Sequence, residues 1–287
     1  MADYRFYLDR VLTKKSSDVL LPETINYRDR VLLESGEIIN ISSLNKLMVN
    51  EVNENNYNDI VLWLDSNAGF NLSGIGTFDI AYNISVNEID SINQSNNNPT
   101  LGDNEIVFDR TNDNYLTYPN SIGNELSGKS AITNTFWVNP STFSYTGRGG
   151  AILGIPSNTV IMNYLAIITS SGFLRVETRS SFSESFYIYD IPVPLNEWSF
   201  FAVVSDYLNK RTIIYLNDIE TINVSSSFEY NFYNVIDPSY SRIGMTPNND
   251  FSDRLFDGKL NDIRVYSKSL TELEINKIYN NTKNRYI

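Results

Sequence analysis

"FDGKLNDIRVYSKSLTELEINKIYN", residues 256–280, is the stretch that decides the fold. Leu260, Ile263, Val265 and Tyr266 form an apolar run broken by Asp262 and Arg264, so Ile263 and Val265 share one face of a strand. Thr271 and Glu274 then stand at the spacing of a capping box: the Thr271 hydroxyl accepts from the Glu274 N–H, and the Glu274 carboxylate reaches back. Leu270 and Ile275 flank the cap as a hydrophobic staple, and Ile275, Ile278 and Tyr279 fall at i, i+3, i+4 on one stripe. The stretch therefore predicts a buried strand and a helix over 271–281 that docks back on the body.

Upstream, short β-prone pieces follow one another between Gly, Asn, Ser and Pro clusters. Strands are predicted at 105–109, 115–118, 131–138, 151–155, 161–169, 173–178, 186–190, 198–205, 211–216, 219–224, 241–245 and 259–266, after an opening strand in "DIVLWLD". Many turn-bounded strands with one helix at the end predict an all-β fold, a β-sandwich or jelly roll. The Asn-rich run from Gly69 to Asn104 is expected to be a surface loop. Residues 1–57 differ: "YRFYLDRVL", "DVLLPETI", "RVLLES" and "EIINISSL" are β-prone pieces with too little apolar material to fold alone. The chain divides into an N-terminal anchoring or assembly arm, 1–57, and a sandwich domain, 58–287.

Composition removes whole classes of chemistry. The 287 residues contain no His and no Cys, which excludes Ser-His-Asp and Cys-His catalysis, ordinary zinc sites and a disulfide scaffold. A net charge of −12 without a basic stripe argues against nucleic acid and anionic membranes as partners. No 18-residue apolar run offers a membrane span. The start "MADYRFYLDR" does not have the form of a secretory signal. "GRGGAILG", 147–154, has neither phosphate-loop spacing nor a following helix and is expected to be a hairpin turn.

The order of several motifs resembles the laminin-G-like domains of the concanavalin A-like lectin/glucanase superfamily, over about residues 58–281. "VLWLD" is similar to the family's opening strand, and "NEIVFDRTNDNYLTYP" to its strand–turn–strand. "AITNTFWVNPST" resembles its Trp-bearing strand, with Trp137 as the core aromatic. "LNEWSFFAVVSD", "KRTIIYLNDIE" and "SRIGM" follow in the family's order, and 256–275 resembles its closing strand and helix. The resemblance implies a concanavalin A-like sandwich with a short C-terminal helix. It does not imply one function, because this fold hosts lectins, adhesion modules, glycosidases and spacers.

Calcium is the cofactor that the resemblance brings forward, with Asp109, Asp113 and Asp262 as ligands and Asn112 or Asn261 beside them. Hard cations take six to eight such oxygens. Two departures stand against it: no Gly follows Asp109, and the last strand carries Asn261-Asp262 where two acids are common in the family. The alternative is that Asp109, Asn112 and Asp113 make Asx-turns and Asp262 is a solvated strand residue. Hydrolysis would need a carboxylate pair, and the nearest text, Glu88-Ile89-Asp90-Ser91-Ile92-Asn93, ends in Asn where the acid/base should stand. Phe143, Tyr145, Phe182 and Tyr187 lie near turns, where aromatics stack on sugars, although most sandwich aromatics are packing.

These readings converge on a non-enzymatic structural or adhesion protein that displays a laminin-G-like domain. A phage virion component (head fibre, capsid decoration or tail protein) reconciles a cysteine-free start lacking a signal with an extracellular type of fold. The expected partners are other virion proteins through residues 1–57, further copies of the chain, and a cell-surface glycan. The alternatives are a lectin module for host recognition, placed outside the cell, and a glycoside hydrolase.

Overall fold

The computed structural model describes residues 30–32, 38–40, 59–66, 70–74, 77–82, 91–94, 98–118, 120–145, 149–156, 162–179, 186–225, 242–246 and 254–287. Its strands begin with β1 (Arg30–Leu32), β2 (Ile38–Asn40), β3 (Ile60–Leu64), β4 (Phe70–Gly74), β5 (Thr77–Tyr82) and β6 (Ser91–Gln94). Next come β7 (Thr100–Gly102), β8 (Glu105–Phe108), β9 (Leu116–Thr117), helix α1 (Asn120–Leu126), β10 (Ala131–Pro140), β11 (Gly150–Pro156) and β12 (Met162–Ile168). The chain continues through β13 (Phe173–Arg179), β14 (Phe186–Pro192), β15 (Ser199–Asp206), β16 (Arg211–Leu216) and β17 (Ile219–Ser225). It closes with β18 (Arg242–Ile243), β19 (Gly258–Tyr266) and helix α2 (Glu272–Thr282).

Two large antiparallel sheets make the sandwich. The first runs β17-β16-β15-β10-β19-β8-β7, with β3 also paired to β19. β3 lies along residues 263–266 of β19 and β8 along 258–260, so the two share one edge of that strand. The second sheet runs β14-β13-β12-β11-β18-β9-β6-β5-β4. Among the described residues, strands β1 and β2 pair with each other, in register Arg30 to Asn40. Between the large sheets lies the main core, in which Phe136 and Phe201 from the first sheet meet Ile155, Tyr164 and Val176 from the second.

Every sandwich strand predicted after residue 100 is present, with ends shifted by a few residues. Two expectations need correction. The run from Gly69 to Asn104 is not a plain loop: β4, β5, β6 and β7 extend both sheets through it. Backbone pairing to existing edges overrides the low β-propensity of its Asn and Ser. A helix also precedes the terminal one: Ile122 and Leu126 of α1, four residues apart, are both buried in the core.

The closing strand is built around a bulge. Leu260, Ile263 and Val265 all face the core, which strict alternation forbids across 260–263. The pairing to β10 shifts register between Thr135 and Trp137, and Asp262 takes a φ of 46°. The extra residue restores the inward phase and turns Asn261, Arg264 and Tyr266 outward. Gly258 opens the strand at φ 145°, where a Cβ would stand 2.4 Å from the Asn139 carbonyl oxygen.

Helix α2 lies across the outer face of the first sheet. Its capping box is formed: Thr271 Oγ1 accepts from Glu274 N at 3.3 Å, and Glu274 Oε2 accepts from Thr271 N at 2.6 Å. Leu270, Ile275, Ile278 and Tyr279 bury against Ile60, Trp63, Trp137, Phe200 and Tyr266. Trp137 is fully buried, as expected of the family's core aromatic, and its cluster lies under the helix. Thr282 Oγ1 accepts from Trp137 Nε1 at 3.0 Å, and beyond it Tyr286 stacks on the Trp137 ring at 4.4 Å.

Candidate functional site

The three carboxylates weighed as calcium ligands fall in two places. Asp109 caps the 3-10 turn Arg110–Asn112; its carboxylate accepts from Thr111 N at 2.8 Å, Thr111 Oγ1 at 2.6 Å and Asn112 Nδ2 at 2.6 Å. The Thr111 hydroxyl above all, with the turn's N–H groups, holds this carboxyl below the usual aspartate range. Asp113 closes the turn, exposed, with φ 52°. This is the Asx-turn geometry.

Asp262 belongs to a different environment. It is fully buried under α2, not a solvated strand residue. Oδ1 accepts from Trp63 Nε1 at 2.8 Å and Arg264 Nε at 2.7 Å, and Oδ2 from Arg264 Nη2 at 2.9 Å. Burial pushes its pKa up, but the guanidiniums of Arg264 and Arg285 and these hydrogen bonds outweigh it and hold the carboxyl low. A cation here would have to displace a guanidinium. Neighbouring Asn261 accepts from Ser66 N at 2.7 Å and donates to the Asn104 carbonyl at 2.9 Å. Among the described residues no group of three or more carboxylates lies close enough to hold a metal ion, so Asp262 is not joined to Asp109 and Asp113.

What the sandwich end assembles around Asp109 is smaller. Arg110 Nη1 donates to the Ser144 carbonyl at 2.6 Å and its guanidinium lies 5.7 Å from the Tyr145 ring centre. The Tyr145 hydroxyl donates to the Asp257 carbonyl at 3.3 Å. Burial raises the Asp257 carboxyl, Arg110 opposes it, and Asp109 adds to it. Tyr145 is buried and Phe143 packs on the core, so both serve the framework. Phe182, Glu88 and Asp90 lie outside the described residues, as do residues 147–148 and the side chains of Asn93 and Tyr187.

A less expected constellation lies on the outer face of the second sheet. Leu174 and Val176 point into the core, so Arg175 and Glu177 point out. By the same alternation Leu165 and Ile167 of β12 point out, where they form a small buried cluster with Ala151, and Arg242 of β18 points away from core-facing Ile243. Strand pairing sets Glu177 beside Leu165, Leu165 beside Gly154 and Gly154 beside Arg242, one row across four strands. Four adjacent strands place its ends roughly 14 Å apart. A second row runs from Asp190 to Arg175, Ile167 and Ala151.

Both ends of the first row carry ionisable groups out of water. Glu177 is 1% exposed and Arg242 6%. Arg242 donates from Nη1 to the Thr246 carbonyl at 3.4 Å and stacks 5.0 Å from the Tyr115 ring centre. The rim is wetter, with Arg175 and Asp190 paired at 2.8 Å. Sequence reasoning missed this row because Glu177 and Arg242 stand 65 positions apart and only strand order joins them. The alternation in "FLRVET" was the available signal.

A search of curated proteins finds no match. Among solved structures, the binding domain of Paraclostridial Mosquitocidal Protein 1 superposes with a TM-score of 0.57 at 16% identity, over 79% of this chain and 53% of that one. The NanB sialidase from Streptococcus pneumoniae gives 0.49 at 16%, over 60% of this chain and 27% of its own, so the match spans about a quarter of the sialidase. The Ruminococcus gnavus IT-sialidase CBM40 bound to α2,3-sialyllactose gives 0.44 at 17%, over 54% and 84%. At such identities the likeness bears on the fold alone. The laminin-G model of the concanavalin A-like lectin/glucanases superfamily matches residues 110–276, more than half of the sequence, and the chain belongs to that family.

Proposed function

We propose that the protein is a non-enzymatic adhesion module that binds glycans. One observation carries this reading: the laminin-G model of a superfamily that includes lectins matches residues 110–276.

Four of the described carboxylates are engaged in ion pairs, which supports a non-catalytic role: Asp262 pairs with Arg264, Asp65 with Arg285, Asp190 with Arg175, and Glu105 with Lys259. Glycosidic cleavage requires two carboxyls flanking the bond, one of them available as an acid. Binding of the full chain to a panel of bacterial and host glycans tests the proposal. Binding to at least one glycan, unchanged by a chelator, is expected; loss on chelation would revive calcium, and no binding to any glycan would leave display alone.

We further propose that the module is carried on a phage particle through residues 1–57, with homo-oligomers supplying partners for the arm's strand edges. The absence of cysteine supports assembly in a reducing cytoplasm. Mass spectrometry of purified particles tests it, and particles without this protein would overturn it.

A further inference from the structure

The core of the sandwich is not uniformly apolar. On β10, Ile132, Phe136 and Val138 face the second sheet, and Asn134 shares their phase. On β15, Phe201 and Val203 face inward, so Ser205 does too; on β16, inward-facing Ile214 places Thr212 on the same side. Ser205 is the direct cross-strand partner of Thr212, and Asn134 is the diagonal neighbour of Ser205, because Ile132 pairs with Ser205 and Asn134 with Val203. From the opposite sheet, Tyr164 enters the core and lies near enough to Tyr207 for the two hydroxyls to interact electrostatically.

All of these side chains are buried. Asn134 and Tyr164 are 0% exposed, Thr212 1% and Ser205 2%. Among the described residues, Asn134 Oδ1 and Nδ2, Ser205 Oγ, Thr212 Oγ1 and the Tyr164 hydroxyl find no hydrogen-bond partner. One orphaned buried polar atom is uncommon; five atoms on four side chains, with three of those side chains clustered on adjacent strands of one sheet, are far outside the ordinary rate. Leaving each unsatisfied costs about 1–3 kcal/mol, which a domain of ordinary stability does not bear several times over in one place.

We infer that this part of the core is an internal hydration site, in which ordered water bridges the Asn134 amide, Ser205 Oγ and Thr212 Oγ1, and extends across the sandwich towards the Tyr164 hydroxyl. The donor and acceptor inventory fits. The Asn134 amide supplies both kinds of group, and the three hydroxyls rotate to give or accept. Two to four polar partners are what a buried water requires, and this row offers at least three within neighbouring positions. The site also restricts pairing. A one-residue slip of β15 against β10 would turn Ser205 out and an apolar residue in, leaving Asn134 without its bridge.

Two measurements on the full chain decide the matter. A high-resolution crystal structure is expected to show at least one ordered water within hydrogen-bond distance of two or more of Asn134, Ser205 and Thr212. Direct bonds among those side chains with no water between them would overturn the inference. Thr212→Val keeps shape and removes the hydroxyl. If that hydroxyl anchors a bridging water, the melting temperature falls, by about 2–4 °C for each kcal/mol lost in a domain of this size. A raised melting temperature would mean that the hydroxyl was dry and unbonded, and the site would be refuted.

Discussion

The two outer faces of the sandwich spend their charged residues in opposite ways. On the first sheet, Arg264 and Asp262 are fully buried, paired through two hydrogen bonds, and roofed by a helix whose end adds Arg285 against Asp65 at 2.6 Å. On the second, Glu177 and Arg242 are separated across three strand gaps with apolar residues between them. The first arrangement neutralises charge locally and makes a closed, load-carrying wall. The second buries its opposite charges apart, so each meets a different local environment, as Arg242 does in the Thr246 carbonyl and the Tyr115 ring.

The largest expected effect comes from removing the roof. Deleting residues 270–287 uncovers Leu270, Ile275 and Ile278 and strips Arg285 from buried Asp65. At roughly 1.5–3 kcal/mol for each large apolar side chain, the loss is on the order of 5 kcal/mol, read by denaturant unfolding. Glycan binding, measured at a temperature where the truncated chain stays folded, is expected to persist. Loss of binding with unchanged stability would make the C-terminus a contact site and not a clasp.

Arg264→Met tests the wall more locally. It leaves Asp262 buried without its guanidinium and is expected to cost about 3–5 kcal/mol, whereas adding Asp262→Asn to it recovers part of that loss. Equal stability of the single and double variants would show that the pair is not acting as one unit.

The same pair sets a pH dependence. The folded Asp262 carboxyl lies below its ordinary value of 3.8, so its contribution is complete above that pH and fades as pH falls through the lower folded value. Melting temperature followed from pH 7 downward should therefore stay level and then drop below about pH 4, with a shallower drop in Asp262→Asn. An unchanged acid limb in the variant would assign acid lability to other carboxylates.

The smallest effect should come from the sandwich end. Asp109→Ala, which removes the turn's side-chain cap, should cost about 1 kcal/mol or less, with no change in binding. If calcium raised the melting temperature of the parent chain but not of Asp109→Ala, the turn would be a metal site after all.

Much of the architecture was open to inspection in the text of the chain because it rests on local periodicity. Most strands between 131 and 225 follow alternation, and the capping box at Thr271 and Glu274 is a contact over three residues whose geometry any helix start imposes. Helix α1 escaped because Ile122 and Leu126 make a stripe of only two residues in a seven-residue element. β4 to β7 escaped because their sequence is weak and their stability comes from the edges they join.

The amino-acid sequence by itself determined the class of fold, the family and the chemistry excluded by the lack of His and Cys. It also determined that the C-terminal helix would clasp the body through Ile275, Ile278 and Tyr279. Only the tertiary structure decided which way each charge faces and what it meets. A single inserted residue at Asp262 changes the phase of β19, sending Arg264 beneath the helix, and no local pattern announces a bulge. Likewise Glu177 and Arg242 fall at the two ends of one row, and Asn134, Ser205 and Thr212 become one polar patch, only through strand order. Side-chain direction is a property of one strand, but a site is a property of several strands in register, and register is fixed by pairing across the whole sandwich.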